Sequence, residues 1–316
     1  MSDTLSPAAL DCLAEYELQV SPAYWLVDKE HLVNYLGVKV GAGSSLLLDS
    51  EFAADASSVA IWRELDFDSE IYATRMGRID WIAAEDLESQ TRQKLLDLVI
   101  QQAEERGIQH LTFRINGRDP HLVQLAEEAG FRMATSFVGL ARLLNGKDLA
   151  TASFLHCAEP GDLEALRRIT REAFAAETRF HFDLRLPSAG TERLHQCWIE
   201  NCLEGKAADC VFVARIDGQV AGYITCQVDP AALAHLGQAR GSIGLFAVDP
   251  KARGRGLGAG LLEGAQSWLV DQGVARIEVG TESFNYGALH SYLRAGFRLV
   301  QSSFTLHRWA DGGNNA

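Results

Sequence analysis

Residues 248–262 read VDPKARGRGLGAGLL, and this stretch decides the fold of the chain. An apolar strand is predicted before it, over 241–248, and an amphipathic helix is predicted from within it, over 257–270. Alternating glycines let backbone N–H groups approach an anion closely, and the start of the helix adds a positive dipole. Arginines between them supply charge for phosphate oxygens. The residues of this predicted phosphate loop are Arg253, Gly254, Arg255, Gly256, Leu257 and Gly258.

Two other interpretations of the loop compete with an anion site. The dinucleotide-binding fingerprint GxGxxG also follows a strand and opens a helix, but the glycines here alternate, and no acidic residue ends a second strand about 20 residues later. A flexible glycine loop without a ligand is the other interpretation. The order strand, loop, helix favours an anion site over both.

A second motif lies further along the chain, where residues 285–297 read NYGALHSYLRAGF and fit N-x-x-A-x-x-x-Y-x-x-x-G-F. A β-hairpin is predicted ahead of the loop, with its turn at Asp217-Gly218. The loop itself fits R/Q-x-x-G-x-G/A. Together these residues resemble the GNAT acetyltransferase superfamily, over about residues 154–309. The resemblance implies an α/β fold of the α+β kind, in which helices flank a mixed, mostly antiparallel sheet.

The resemblance also implies acetyl-CoA as co-substrate and assigns roles to residues. The loop amides would bind the CoA pyrophosphate, residues 245–248 would pair with the pantetheine arm, and a free amide there would polarise the thioester carbonyl. Asn285 would hydrogen-bond the cofactor arm. Tyr292, seven residues later on the same helix face, would protonate the departing thiolate, with a packed core tyrosine as the alternative. The implied CoA-binding residues are Leu245, Phe246, Ala247, Val248, Arg253, Gly254, Arg255, Gly256, Leu257, Gly258 and Asn285.

The chain repeats itself at an offset of 166 residues, with an ungapped match from about Gly77 to Leu140. Both copies read strand, helix, glycine turn, strand, helix, Ala-Gly-Phe-Arg and a last strand. The first copy lacks the glycine loop, because its residues 87–92 read LESQTR. We therefore predict a degenerate GNAT-like half that binds no CoA. The predicted domains are an extension of unknown role at 1–64, the degenerate half at 65–147 and the catalytic domain at 148–316.

Composition and charge limit the partners. A net charge of −13 at pH 7 argues against a nucleic acid or a membrane surface, which would need a basic field. The first residues lack the basic region of a secretory signal, and the six cysteines lack metal-type spacing. We therefore expect a cytoplasmic protein with reduced thiols and no metal. The sequence leaves the oligomeric state open, with a homodimer as one candidate.

A third set of residues concerns the amine that is acetylated. The pieces Arg179-Phe-His and Trp198-Ile-Glu-Asn, with the helix of Tyr292, resemble the dTDP-fucosamine acetyltransferases, although residues 67–72 depart from that group's pattern. The resemblance implies a dTDP-linked amino-dideoxy sugar as substrate. Its diphosphate could meet Arg179 with Arg185 or Arg193, and Phe180 or Trp198 could stack on its thymine. Ordinary core or surface roles are the alternative for each residue. The candidate acceptor residues are Arg179, Phe180, His181 and Trp198.

Two other functions stay open at this point. One is an N-acyltransferase of a different small amine, such as a polyamine, an antibiotic or a free amino sugar. The other is a non-catalytic regulator that binds acyl-CoA. The general base is also open, because a water relay would serve as well as a side chain. The side chains of suitable type are His181, Asp183, Glu282 and His290.

Overall fold

The structure of the chain is a computed structural model, which describes residues 5–21, 27–41, 46–48, 58–87, 90–144, 156–175 and 179–310, with the backbone alone at 41, 46–48 and 179. The chain forms two compact units. Unit 1 comprises residues 1–137 and 301–316, and unit 2 comprises residues 138–300. No helix in the described ranges is both long and apolar enough to cross a bilayer.

Unit 1 is a mixed sheet with helices, and its core lies between the sheet and the two helices of the first copy. The pairing is antiparallel except between the strands at 76–84 and 110–116, which run parallel. The sheet order is β1-β2-β3-β4-β11. The elements are α1 Pro7–Val20, α2 Lys29–Gly41, β1 Leu46–Leu48, β2 Ser58–Glu64, α3 Asp66–Tyr72, β3 Met76–Ala84, α4 Gln90–Glu105, β4 His110–Asn116, α5 Pro120–Glu128 and most of β11 Arg298–Trp309.

Unit 2 has the same plan, with an apolar core on each face of its sheet. Its sheet order is β5-β10-β9-β8-β7-β6, and β9 and β10 run parallel. The elements are the end of β5 Arg132–Leu143, β6 His156–Cys157, α6 Leu163–Ala173, α7 Arg179–Phe182, α8 Ser188–Leu203, β7 Cys210–Ile216, β8 Gln219–Asp229, α9 Pro230–Leu236, β9 Arg240–Val248, α10 Leu257–Asp271, β10 Arg276–Glu282 and α11 Tyr286–Arg294. The mixed, mostly antiparallel sheet flanked by helices is confirmed.

The predicted hairpin and helix are present in unit 2. Asp217 and Gly218 have φ of 49° and 78°, the positive values that a two-residue hairpin turn requires, and they join β7 to β8. The helix predicted over 257–270 is α10, Leu257–Asp271. The predicted phosphate loop therefore lies between a strand and a helix, as expected.

The two copies exchange their last strands. The end of β5, from the first copy, lies in unit 2, where Leu144 N–H donates to the carbonyl of Ala275 at 2.8 Å. Most of β11, from the second copy, lies in unit 1 and pairs antiparallel with β4. The predicted boundary between residues 147 and 148 lies outside the described residues, and the predicted division into three domains stays a prediction.

Two arginines show that the exchange follows the repeat. In unit 1, Arg308 Nε donates to the carbonyl of Ala129, at the end of α5, at 3.0 Å. In unit 2, Arg142 Nη1 donates to the carbonyl of Ala295, at the end of α11. Both pairs are related by the offset of 166 residues. Each exchanged strand therefore caps the C-terminal end of the last helix in the unit that receives it.

The register of the parallel strands corrects the predicted alignment of the copies. Met76 pairs with His110 in unit 1, and Arg240 pairs with Arg276 in unit 2. Arg276 lies 166 residues after His110, but Arg240 lies only 164 residues after Met76. The match is thus not ungapped at its N-terminal end. The two additional residues of the second copy fall between β9 and α10, where the glycine loop is found.

Candidate functional site

The phosphate loop exposes backbone N–H groups at the start of α10. Gly254 and Gly256 have φ of 76° and 80°, a conformation that favours glycine, and a Cβ at either would meet nothing within 4 Å. Gly256 is the N-cap residue of α10 and has no side chain to accept hydrogen bonds from the first turn. By contrast, Asp119 and Asn285 cap α5 and α11 with their side chains. The start of α10 therefore offers uncapped donors and a positive dipole to an anion.

The charged side chains of the loop differ in whether they are paired. Arg253 and Arg255 are exposed, and in the described part of the chain neither forms an ion pair. Asp249, at the start of the loop, accepts from Arg168 Nη1 of α6 at 2.6 Å and from Lys251 N–H at 2.9 Å. The hydrogen bond from Arg168 lowers the pKa of Asp249. The loop is thus anchored at its first residue, and its arginines remain available for phosphate oxygens.

Strands β9 and β10 separate beside this loop. Their parallel pairing ends at Ile243 and Val279, although both strands continue. Leu245 N–H points toward β8, where it donates to Thr225 Oγ1 at 2.7 Å, and Asp249 N–H donates to the carbonyl of Ala221 at 2.9 Å. Successive N–H groups of a strand alternate in direction. The amides of residues 246 and 248 therefore face the gap between β9 and β10.

Tyr292 lies on α11 at the same end of β9. Its ring centroid is 6.0 Å from that of Phe246 and 5.8 Å from that of Phe297, and the side chain is 4% exposed. Burial raises the pKa of its phenol well above the usual range, so the group stays protonated at neutral pH. No described residue hydrogen-bonds the hydroxyl. Such a hydroxyl is available to donate a proton to a ligand atom.

The ring of Phe246 connects the three parts of the site. It contacts Tyr292 on one side, and on the other a Cβ at Gly258 would lie 3.3 Å from Phe246 Cζ. Gly258 thus allows the first turn of α10 to approach β9 closely. The predicted loop, the predicted strand 245–248 and the predicted tyrosine therefore converge in unit 2.

Asn285 has a structural role in addition to the predicted one. Its Oδ1 accepts from Ala288 N–H at 3.2 Å, and its Nδ2 donates to Thr281 Oγ1 at 3.0 Å. These bonds cap α11 and join it to β10. One amide hydrogen remains for a ligand, and the predicted contact with the cofactor arm stays a prediction.

The predicted acceptor residues lie on α7 and α8, next to aromatic residues that sequence reasoning missed. Phe180 is 6% exposed and packs edge-on against His195, with ring centroids 6.3 Å apart. His195 also stacks on Phe174 at 4.8 Å and on Trp198 at 6.5 Å. Trp198 is 36% exposed, so one part of its ring remains accessible while Phe180 belongs to the core. The side chain of Arg179 lies outside the described residues.

The candidate bases are dispersed. Glu282 ends β10, beyond the last pairing with β9, and its carbonyl accepts from Asn285 N–H at 3.0 Å. His290 lies on α11 and is exposed. His181 and Asp183 lie on or just after α7. Of the four, Glu282 is the one at the gap between β9 and β10.

Known proteins match both the sequence and the fold. Residues 164–297 match the model of the acetyltransferase (GNAT) family. The dTDP-fucosamine acetyltransferase of Escherichia coli O6:H1 is 29% identical over 183 residues, which are 58% of this chain and 74% of that protein. A GCN5-related N-acetyltransferase from Sphaerobacter thermophilus superposes with a TM-score of 0.63 at 16% identity, over 98% of this chain and 95% of that one. A tandem GNAT protein from the clavulanic acid biosynthesis pathway superposes with a TM-score of 0.55 at 12% identity, over 99% of this chain and 98% of that one.

These matches identify residues 164–297, within unit 2, as a GNAT acetyltransferase region. The protein is accordingly an acetyltransferase enzyme, and the family implies acetyl-CoA and an amine as substrates. The two solved structures show the fold, and the tandem GNAT-like arrangement predicted from the repeat is confirmed.

In unit 1 the positions that match the GNAT cofactor residues are filled by the chain itself. Arg92 occupies the position of Gly258, and Asp119 that of Asn285, at the offset of 166. The Arg92 side chain is fully buried, pairs with Asp119 and donates to the carbonyl of Leu87 at 2.6 Å. Tyr16 of α1 donates to Asp119 Oδ2 at 2.9 Å. An ion pair and a tyrosine thus lie where unit 2 leaves a glycine and an exposed cap.

The strand position is filled as well. Trp81 of β3 corresponds to Leu245 by the strand register, and its Nε1 donates to Glu17 Oε1 of α1 at 2.6 Å. Burial raises the pKa of Glu17. Helix α1 therefore contacts the first copy along the positions that bind CoA in the GNAT pattern, which supports the prediction that this half binds none. Residue 88 of the matching loop lies outside the described residues.

Gly256→Val should weaken acetyl-CoA binding at least tenfold, about 1.4 kcal/mol. The valine side chain would obstruct the loop amides, and the positive φ at this position would strain the backbone. Gly273→Val is the matched control: Gly273 follows the other end of α10, has φ of 79° and also has nothing within 4 Å of a Cβ. The control should lose similar stability and keep its affinity. Calorimetry of the folded variants checks this, and equal affinities would contradict the loop assignment.

Titration of the full chain with acetyl-CoA should give one site per chain. The Arg92–Asp119 pair and Tyr16 occupy the matching groove of unit 1, and opening it would leave buried charges unpaired. A stoichiometry of two sites per chain would show that the first copy is not degenerate.

Proposed function

We propose that this enzyme transfers the acetyl group of acetyl-CoA directly to the amino group of a dTDP-linked amino-dideoxy sugar. The observation that carries the transfer is the convergence, at one end of β9, of two outward-facing amides at 246 and 248 with the buried hydroxyl of Tyr292. The amides can stabilise the oxyanion that develops on the thioester carbonyl, and the hydroxyl can protonate the leaving thiolate.

The chemistry follows from these groups. The neutral amine attacks the thioester carbonyl and forms the new C–N bond, while an amide of β9 stabilises the negative oxygen. Collapse of the tetrahedral intermediate breaks the C–S bond. Tyr292 donates its proton to the thiolate, and the amine loses one proton to Glu282 or to water. The products are the N-acetylated amine and CoA, and the proton taken up from the amine restores the tyrosine through solvent.

The acceptor class rests on the relative and on the surface of α8. The E. coli relative bears the name dTDP-fucosamine acetyltransferase. Trp198 presents part of its ring to solvent and is backed by His195, an arrangement that suits stacking on a base. Arg193, on the same helix, is exposed, and among the described residues no carboxylate pairs with it. Trp198 offers a stacking surface for a base, and Arg193, about 140° away around the helix, offers a positive charge on another face.

Tyr292→Phe should lower kcat by about 10²–10⁴-fold and leave the KM for acetyl-CoA nearly unchanged, as expected for loss of a general acid. Tyr223→Phe is the control, because Tyr223 is equally buried but bonds Thr170 on the opposite face of the sheet. That variant should lose stability and keep its kcat. A Tyr292→Phe enzyme with wild-type kcat, when chemistry limits the rate, would leave Tyr292 a packing residue.

A thiol-release assay across dTDP-amino sugars, UDP-amino sugars, polyamines and aminoglycosides, with mass spectrometry of the product, tests the acceptor. We expect turnover with a dTDP-linked 4-amino-4,6-dideoxyhexose. The rate should rise with pH until the amine is deprotonated and then level off, since burial raises the pKa of Tyr292 and keeps the acid protonated through that range.

Nucleotide recognition should be separable from chemistry in the same assay. Trp198→Ala should raise the KM for the dTDP-sugar about tenfold and leave that for acetyl-CoA unchanged, since loss of base stacking costs roughly 1–3 kcal/mol. Leu184→Ala, at a 94% exposed position in the same region, is the control. Turnover confined to an amine without a nucleotide would overturn the acceptor and leave the family assignment intact.

A further inference from the structure

Thr225 is a buried hydroxyl in the middle of β8 that faces the part of β9 described above. It is 1% exposed, and its Oγ1 accepts from Leu245 N–H at 2.7 Å. A Cβ at Gly244 would lie only 2.9 Å from that oxygen. The hydroxyl thus sits against the backbone of β9 at the point where β9 leaves β10.

At this point β9 contains one residue more than β8. Ile243 pairs with Cys226 and Phe246 pairs with Ile224, so that Gly244 and Leu245 both lie opposite Thr225. Such a β-bulge interrupts the ladder of hydrogen bonds and re-aims the residues that follow it. Here the Thr225 side chain accepts the hydrogen bond that a ladder carbonyl would otherwise receive, and it sets the direction of the next amides.

The first copy shows that the scaffold does not need this hydroxyl. It has a bulge at the same place, where Ile61 pairs with Trp81 and Trp62 pairs with Ile79, leaving Asp80 as the additional residue. By this register Ile61 corresponds to Thr225, and Ile61 is fully buried. Asp80 is held by Arg63 and Arg78 at 2.6 and 2.7 Å. A bulge without a hydroxyl therefore folds in the half that lacks the glycine loop.

We propose that Thr225 is a positioning residue for acyl transfer. Its hydroxyl holds Leu245 N–H toward β8, and this keeps the amides of residues 246 and 248 directed at the thioester. Gly244 is required next to it because any side chain there would displace the hydroxyl. The inference rests on the proposed role of the β9 amides in binding acetyl-CoA.

The test compares Thr225→Val, which removes the hydroxyl at nearly constant volume, with Thr225→Ser, which keeps it. Misplacement of catalytic groups lowers reaction rates by about 10- to 100-fold. Thr225→Val should therefore lower kcat/KM for acetyl-CoA by that factor. The KM for the acceptor should not change, and Thr225→Ser should recover most of the loss. Thr170→Val is the control, since Thr170 is a fully buried hydroxyl of α6 bonded to Tyr223.

A second variant covers the case in which Thr225→Val fails to fold. Gly244→Ala leaves the hydroxyl in the chain but pushes it from Leu245, and it should reproduce the loss in kcat/KM. Wild-type kinetics in a folded Thr225→Val or Gly244→Ala enzyme, or an equal kinetic loss in Thr170→Val, would overturn the proposal. Failure of the proposed function would instead appear in the wild-type enzyme, as absence of acetyl-CoA binding or of turnover.

Discussion

The separation of β9 from β10 after Ile243 and Val279 is the constraint on which the rest of the site depends. A strand paired on both sides has no backbone donor left for a ligand, whereas β9 beyond this point pairs with β8 alone. After the bulge opposite Thr225, Leu245 N–H donates toward β8, so the amides of residues 246 and 248 face the open side. The glycine loop follows directly, and Tyr292 packs on Phe246 of the same strand. The proposed cofactor binding and the proposed acid catalysis thus share one strand end.

Both copies contain this separation of two parallel strands, and they differ in the side chains that lie beside it. In unit 1 parallel pairing ends at Ile79 and Phe113, the equivalent positions. A gap of this kind needs polar partners, because unpaired polar groups away from water cost about 1–3 kcal/mol each. In unit 1 Arg92, Asp119 and two side chains of α1 are present at the matching positions. In unit 2 these positions carry glycine and an exposed asparagine, which leaves the groove to a ligand.

The exchange of last strands makes each unit depend on a distant part of the chain. In unit 1, β4 pairs with β11, so that Ile115 lies opposite Phe304 although the two residues are far apart in the sequence. Pairings of such separation form slowly, because the loop-closure entropy must be overcome before the contacts form. The arginines at 142 and 308 then secure each exchanged strand to the end of a helix. Unit 1 is therefore built from two separate segments of the chain, whereas unit 2 is one segment that begins within β5.

The sequence by itself determined the local features: the glycine loop, the hairpin at Asp217-Gly218, the helix from Leu257 and the repeat. The first three follow from backbone preferences or periodicity within a few residues, which act before any tertiary contact forms, and the repeat follows from comparing the chain with itself. Only the tertiary structure decided that Phe180 is core while Trp198 is exposed, that Asn285 caps its helix, and that Thr225 bonds Leu245. It also decided the two-residue shift between the copies and the exchange of β5 and β11. The physical reason is that burial, register and partner choice depend on residues far apart in the chain, and no local pattern encodes which strand a distant strand will meet.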